Sequence, residues 1–368
     1  FRSRRTDRVL YIMLILMGLI TVLCMMFAGV LGVMYVKEKD KNQEAAVKQA
    51  QLEEEVVAAF AGDNNALNDE EVQQLVDAKE VEMKAKMKEL VQSEDGGAMT
   101  MLRYFFPENL VYYDEGGYVF APILDTLKKH QLVDENFHIN DRNEIEYIEN
   151  GIVTSHKGID VSKYQGDIDW QAVKADGVEY AFVRLGIRGY GSGKIVLDEN
   201  FADNMQGANE AGVKAGVYFF TQAVTVEEAQ EEAAFVIENL AAYDVPYPVV
   251  FDVEMITGQD GRANNLTMQE RTDITIAFCE AVKAAGYTPM IYGNVKCFTK
   301  MLDMTKLEQY EKWYAFYDKY MYFPYEVSMW QYTEKGTVDG IEGMVDMNIA
   351  YKRSEERRVG KECRSRWS

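Results

Sequence analysis

The sequence predicts an α/β protein: an irregular barrel of strand and helix units ending in plain strands, preceded by one transmembrane helix and a helical stalk. Three observations predict it. An uncharged run covers Val9 to Val36, a proline-free stretch rich in Glu, Lys, Gln, Ala and Val comes next, and past Gly158 short apolar runs alternate with helical stretches.

Residues 1–8 form a basic head, with Arg2, Arg4, Arg5 and Arg8 against Asp7. Residues 9–36, VLYIMLILMGLITVLCMMFAGVLGVMYV, exceed the roughly 20 residues that span about 30 Å of hydrocarbon at 1.5 Å per residue. The run is longer than the apolar core of a secretory signal, and no Ala-x-Ala site directly succeeds it, so it is expected to remain as an anchor. The arginines favour a cytoplasmic head and an extracellular remainder, a bias that Lys37, Lys39 and Lys41 weaken. Residues 37–95 read as two helices broken at Ala61-Gly62-Asp63-Asn64-Asn65, with Asn68 capping the second. Val76, Met83, Met87 and Leu90 recur there at helical spacing. A solvated stalk is the preferred reading, with self-association as a short coiled coil the alternative.

Residues 100–156 change to short aromatic-rich segments and one helical run expected at Ile123 to His130, a small α+β module or an extension of the barrel. Residues 157–352 carry the barrel itself. GIDVS, YAFVRLGI, KAGVYFF, PVVFDVE and TPMIYGN read as buried parallel strands, separated by helical stretches near Trp170–Ala175, Phe201–Ala211, Val226–Tyr243 and Met268–Ala285. KWYAFY, EVSMWQYT and MVDMNIAY then come too close together for full helices between them. Residues 353–368 turn basic without apolar periodicity and read as disordered, with their native origin left open.

A chain of 368 residues with 48% apolar content has enough material for a core of about two domains. Its formal charge of −21 opposes nucleic-acid binding. Cys24, Cys279, Cys297 and Cys363 show no zinc spacing, and Cys279, beside Ile276, Phe278 and Val282, fits a small core residue better than a disulfide partner for Cys297.

The chemistry concentrates in Pro248-Val249-Val250-Phe251-Asp252-Val253-Glu254. An apolar strand ends there in two acids one residue apart, which alternation puts on one face. Acids at the carboxyl end of a core strand in a parallel α/β fold sit on its active face. Asp160, after Gly158-Ile159, and Asp346, after Met344-Val345, could reach the same mouth. A carboxylate cluster with split pKa values suits glycosidic cleavage, in which one acid protonates the leaving oxygen and another negative group steadies the sugar cation. A metal site and plain solubility caps are the competing readings of these residues alone.

The run GIDVSKYQGDIDW (158–170), then Phe182-Val183-Arg184-Leu185-Gly186, AGVKAGVYFF (211–220), Phe251-Asp252-Val253-Glu254, Gly286-Tyr287-Thr288-Pro289, Trp330-Gln331-Tyr332-Thr333 and Val345-Asp346-Met347-Asn348 resembles glycoside hydrolase family 25. The resemblance implies an irregular, TIM-like (β/α)₅β₃ barrel that cuts the β-1,4 bond between N-acetylmuramic acid and N-acetylglucosamine in peptidoglycan, with no cofactor and no metal. It makes Glu254 the general acid. Asp252 would steady the oxocarbenium-like charge or orient the acetamido group, and Asp160 and Asp346 would complete the cluster. Tyr218, Tyr292, Tyr317 and Trp330 are positions for sugar stacking, with barrel packing the competing reading for the last two. Phe219, where the family often has histidine, and the loose Trp313-Tyr314-Ala315-Phe316-Tyr317 strand depart from the pattern and bear on substrate preference. The resulting expectation is a cell-surface, single-pass muramidase. The alternatives are a catalytically silent wall-binding or scaffold subunit and a secreted lysin.

Overall fold

The computed structural model describes residues 69–93 and 96–351, so the basic head, the membrane run, the first stalk helix and the basic tail lie outside the described residues. Among the described residues no helix is long and apolar enough to cross a membrane. The chain divides into two compact units between Ile123 and Leu124.

In the first unit, helix α1 (Asp69–Gln92) carries Val76, Met83, Met87 and Leu90 on its less exposed side, as their spacing predicts. Helix α2 (Ala98–Phe105) leads into a hairpin of β1 (Asn109–Asp114) and β2 (Gly117–Pro122). Glu115 and Gly116 both take positive φ, 48° and 86°, the left-handed pair that a two-residue hairpin turn needs.

The second unit opens differently from expectation. Ile123 to His130 is not a helix. It succeeds Pro122, and its polar groups bind elsewhere: the Leu124 N–H donates to the Tyr325 hydroxyl (2.7 Å), and Lys129 forms a β-bridge with Tyr325. Tertiary partners outcompete the local periodicity. Strands β3 (Phe137–Ile139), β4 (Ile145–Glu149) and β5 (Ile152–Val153) then make a small antiparallel sheet.

The barrel begins at β6 (His156–Val161) and continues through α3 (Trp170–Ala175), β7 (Tyr180–Arg188), β8 (Ile195–Leu197), α4 (Phe201–Ala211), β9 (Lys214–Phe220), α5 (Val226–Leu240), β10 (Val249–Asp252), α6 (Met268–Ala284) and β11 (Pro289–Asn294). Only a π-helical turn (Cys297–Met301) and a 3₁₀ turn separate β11 from β12 (Glu311–Ala315). Strands β13 (Met329–Gly336) and β14 (Val345–Ala350) complete it without helices. Pairing runs β6-β14-β13-β12-β11-β10-β9-β7 and returns from β7 to β6, so eight strands close on themselves while β8 hangs on β7. Seven barrel strands are parallel, and β14 alone is antiparallel to both neighbours.

Side-chain alternation builds the interior. Tyr180 and Phe182, Val250, Met290 and Tyr292, Trp313 and Ala315, Met329 and Ala350 form the central cluster, with Phe182 stacked on Trp313 at 4.6 Å. Gly158 and Gly216 face the same space, and the space explains them. A Cβ on Gly158 would lie 2.1 Å from the Tyr180 ring, and one on Gly216 would lie 2.5 Å from Phe182. The glycines give room to aromatic rings that plug the barrel and form a dry floor under its carboxyl-end rim. The outward positions pack on helices, as Phe251 does on Phe278 of α6 at 4.3 Å. Cys279 and Cys297 are buried free thiols, in keeping with core packing.

Candidate active site

The rim above the aromatic floor gathers Asp160 from β6, Asp252 from β10, Glu254 just past it and Asp346 from β14. Asp160 and Asp346 are direct partners across the β6–β14 ladder. Asp346 reaches the rim because β14 runs backwards, which brings its first residues to the end where the other strands finish.

Asp160 is buried, and its Oδ1 accepts two hydrogen bonds, from Gln331 Nε2 (2.9 Å) and Asn348 Nδ2 (2.7 Å). Both amides are themselves fixed. Gln331 Oε1 accepts from the Tyr292 and Tyr317 hydroxyls at 2.8 and 3.0 Å, and Asn348 Oδ1 accepts from Trp313 Nε1 at 2.7 Å. These bonds settle which end of each amide faces the acid.

Burial raises all four acids above the ordinary carboxylate range. For Asp160 the negative charges of Asp346 and Glu254 add to burial, while the two amide donors oppose it. For Asp252 burial leads, then Glu254; the Arg184 guanidinium opposes them from β7, where it is held by Asp198 at 2.6 Å. Asp346, pushed up to about 6, answers first to burial and then to Glu334. Asp252 and Glu254 titrate as an interacting pair, with Glu254 raising Asp252 further and Asp252 opposing the rise of Glu254. Asp252 Oδ1 is buried without a hydrogen-bond partner. Among the described residues no group of three or more His, Cys, Asp or Glu is placed to hold a metal ion.

The four aromatic positions separate. Tyr218, half-buried on β9, lies at the edge of the central cluster and beside the acids. Tyr292 is 8% exposed and serves Gln331. Tyr317 is 51% exposed, with its hydroxyl on Gln331 and its ring open at the rim. Trp330 is a correction, because alternation on β13 turns Gln331 inward and Trp330 outward. It is fully buried, donates to the Phe316 carbonyl (2.7 Å) and packs edge-on against Phe137 at 5.5 Å, so no sugar face can reach it. Phe219 also faces outward, 6.4 Å from Phe235, and does not line the mouth.

Sequence reasoning passed over Gln331, Asn348, Arg184 and Trp313. The signal was parity: Gln331 lies two residues from the inward Met329, and Asn348 two from Asp346. Replacing Gln331 with Leu is expected to lower turnover about 10- to 100-fold and shift the pH profile alkaline, since Asp160 loses a donor and two tyrosine hydroxyls lose their acceptor. A pH–rate profile that keeps its midpoint would remove Gln331 from the site's electrostatics.

The raised acids also set a pH dependence of stability. Asp134 and Glu232 are each raised to about 7, first by burial, and join the four rim acids. An acid whose folded pKa exceeds its unfolded value of about 4 contributes stability that is full below that value and lost as pH rises through the folded value. Asp176 and Glu228, which are lowered, change below about pH 4, and His130, lowered by burial, works the other way, because its unfolded state takes up a proton as pH falls through the ordinary histidine value of about 6.5. Thermal denaturation is therefore expected to give a higher Tm at pH 5 than at pH 8; a Tm that rises over this interval contradicts the assignment.

A closed α/β barrel with a cluster of carboxyl groups at the carboxyl ends of its strands defines the class, a barrel enzyme with an acidic candidate site. The chain belongs to glycosyl hydrolases family 25, whose family model matches residues 159–341, and it is a glycoside hydrolase. It is 30% identical over 210 residues to the uncharacterized protein YegX of Escherichia coli O157:H7, covering 54% of this chain and 71% of that one. It is 26% identical over 200 residues to the autolytic lysozyme of Clostridium acetobutylicum, covering 52% of this chain and 55% of that one. The modular autolysin LytC of Streptococcus pneumoniae, solved with a synthetic peptidoglycan ligand, shares the fold with a TM-score of 0.51 at 24% identity, over 60% of this chain and 56% of that one. The chain thus spans little more than half the length of these last two proteins.

Proposed function

We propose that the protein is a muramidase, hydrolysing the β-1,4 bond between N-acetylmuramic acid and N-acetylglucosamine in peptidoglycan. The observation that carries this reading is the gathering of Asp252, Glu254, Asp160 and Asp346 at one rim, with Asp160 fixed by two amides and the acids raised by burial. Glu254, raised by burial and less buried than Asp252, holds a proton and delivers it to the leaving oxygen. Asp252 is then left charged, as the developing sugar cation requires. Its buried, unpartnered Oδ1 suits the N–H of a substrate acetamido group, which would turn the carbonyl of that group toward the anomeric carbon. Tyr317 and Tyr218 flank the path of the sugars. The uncharged run Val9 to Val36 supports a cell-surface location, with the barrel held outside on a single anchor.

The test is to incubate the full chain with purified peptidoglycan and to identify released reducing ends by mass spectrometry. Fragments ending in N-acetylmuramic acid are expected. Fragments ending in N-acetylglucosamine would assign the other glycosidic bond, and no release from several wall types would sink the reading.

A further inference from the structure

A groove lies beside the acids, sharing Tyr317 with their surroundings but lined by none of the four. The groove, of about 570 Å³, runs from Tyr317 along the outer end of β13 to the turn between β3 and β4. Its volume falls within the roughly 300–1,000 Å³ of pockets that enclose a ligand of short-peptide size. Ile139, 46% exposed, supplies apolar surface, and Arg142, Lys319 and Lys335 supply positive charge against Glu144 and Asp318.

Three observations bear on what the groove holds. It is continuous with the cleft, since Tyr317 lines it while bonding the Gln331 that fixes Asp160. Its charge runs against that of the molecule: in a chain of formal charge −21, the groove walls carry a cationic excess. Arg142 is committed to the wall by Asp176 at 2.6 Å, but Lys335 meets Glu334 only at 3.9 Å with both side chains largely exposed, a contact worth little. Finally, one wall comes from residues 139–145, upstream of the segment 159–341 that the family model matches.

We propose that the groove binds the carboxylate-bearing peptide branch of the polymer whose glycan is cut at the acids. The inference rests on the muramidase reading. In peptidoglycan the peptide hangs from the lactyl group of N-acetylmuramic acid, one of the two sugars at the scissile bond, so a branch must leave the cleft close to where the glycan is held. Tyr317 marks such an exit. Lys319 and Lys335 offer charge partners to the branch carboxylates, and Ile139 offers surface to its alkyl side chains.

The test compares two substrates: glycan strands that carry their peptides, and the same strands stripped of them by an amidase. With the full wild-type chain, kcat/KM is expected to be about tenfold higher on the peptide-bearing strands, mostly through KM, which is what two partly exposed charge pairs supply. In the double variant Lys319→Glu/Lys335→Glu the ratio of the two kcat/KM values is expected to fall to about one, and taking the ratio cancels any general loss of folded protein. Equal rates on both substrates in the wild type, or a preference that survives the charge reversal, would overturn the peptide groove and leave the muramidase standing. Cleavage of neither substrate would remove both.

Discussion

Glu254→Gln is expected to lower the release of reducing ends by at least about 10³-fold while leaving Tm unchanged or raised. Glutamine keeps the shape of the side chain but has no proton to deliver to the leaving oxygen, and general acid catalysis alone is worth about 10²–10⁴. Stability moves the other way because the substitution removes one of two buried acids that repel each other, the charge that raises Asp252 most after burial itself. Asp252 then loses its coupled partner, so residual activity should show a single ionisation rather than two. Glu254→Gln activity within tenfold of wild type, measured as reducing-end release per folded molecule, would assign the acid to another group, with Asp252, also raised by burial, next in line.

Arg188→Leu is expected to cost about 3–5 kcal/mol, the typical loss when one partner of a buried ion pair is removed. Arg188 is 3% exposed and Glu232 is wholly buried. Arg188 Nε donates to Glu232 at 2.6 Å, and its Nη2 donates to Glu231 at 2.7 Å and to the Glu228 carbonyl at 3.0 Å. Glu232 in turn accepts from the Thr221 hydroxyl at 2.7 Å, and the Thr221 N–H donates to the Asp252 carbonyl at 3.1 Å. The network therefore ties β7, α5 and the end of β9 to the strand that carries the acids. Glu232, already raised to about 7, can escape the missing cation by taking a proton, so the loss should be smaller at pH 5 than at pH 8. Adding Glu232→Leu should restore part of the stability. Denaturant unfolding that shows a loss below about 1 kcal/mol for the single variant would mean that the pair is not desolvated as described.

The barrel could be read in the sequence because its strands are buried on both faces. Runs such as PVVFDVE need no partner to be recognised, and KAGVYFF falls on the observed strand residue for residue. Asp252 and Glu254 were visible for a related reason, since an acid after four apolar residues is a discontinuity. The supporting shell gave no such break. Gln331 and Asn348 are neutral and sit among aromatic and apolar neighbours, and only the facing of each strand separates the inward Gln331 from the outward Trp330. A single strand does not reveal its facing, because the partner that defines inside lies far away in the chain. Ile123 to His130 misled for the same reason: its helical spacing is real, but Tyr325, some 200 residues on, takes its backbone.

The antiparallel β14 also completes the acid group last in chain order. Asp160 emerges early in synthesis of the barrel, yet its two amide donors belong to β13 and β14, and its ladder partner Asp346 opens the closing strand. A nascent chain that has delivered every parallel strand still has an open seam beside β6 and an acid group lacking one member. The acid group is therefore completed only when the last barrel strand is in place, since β14 supplies both Asp346 and the Asn348 that fixes Asp160.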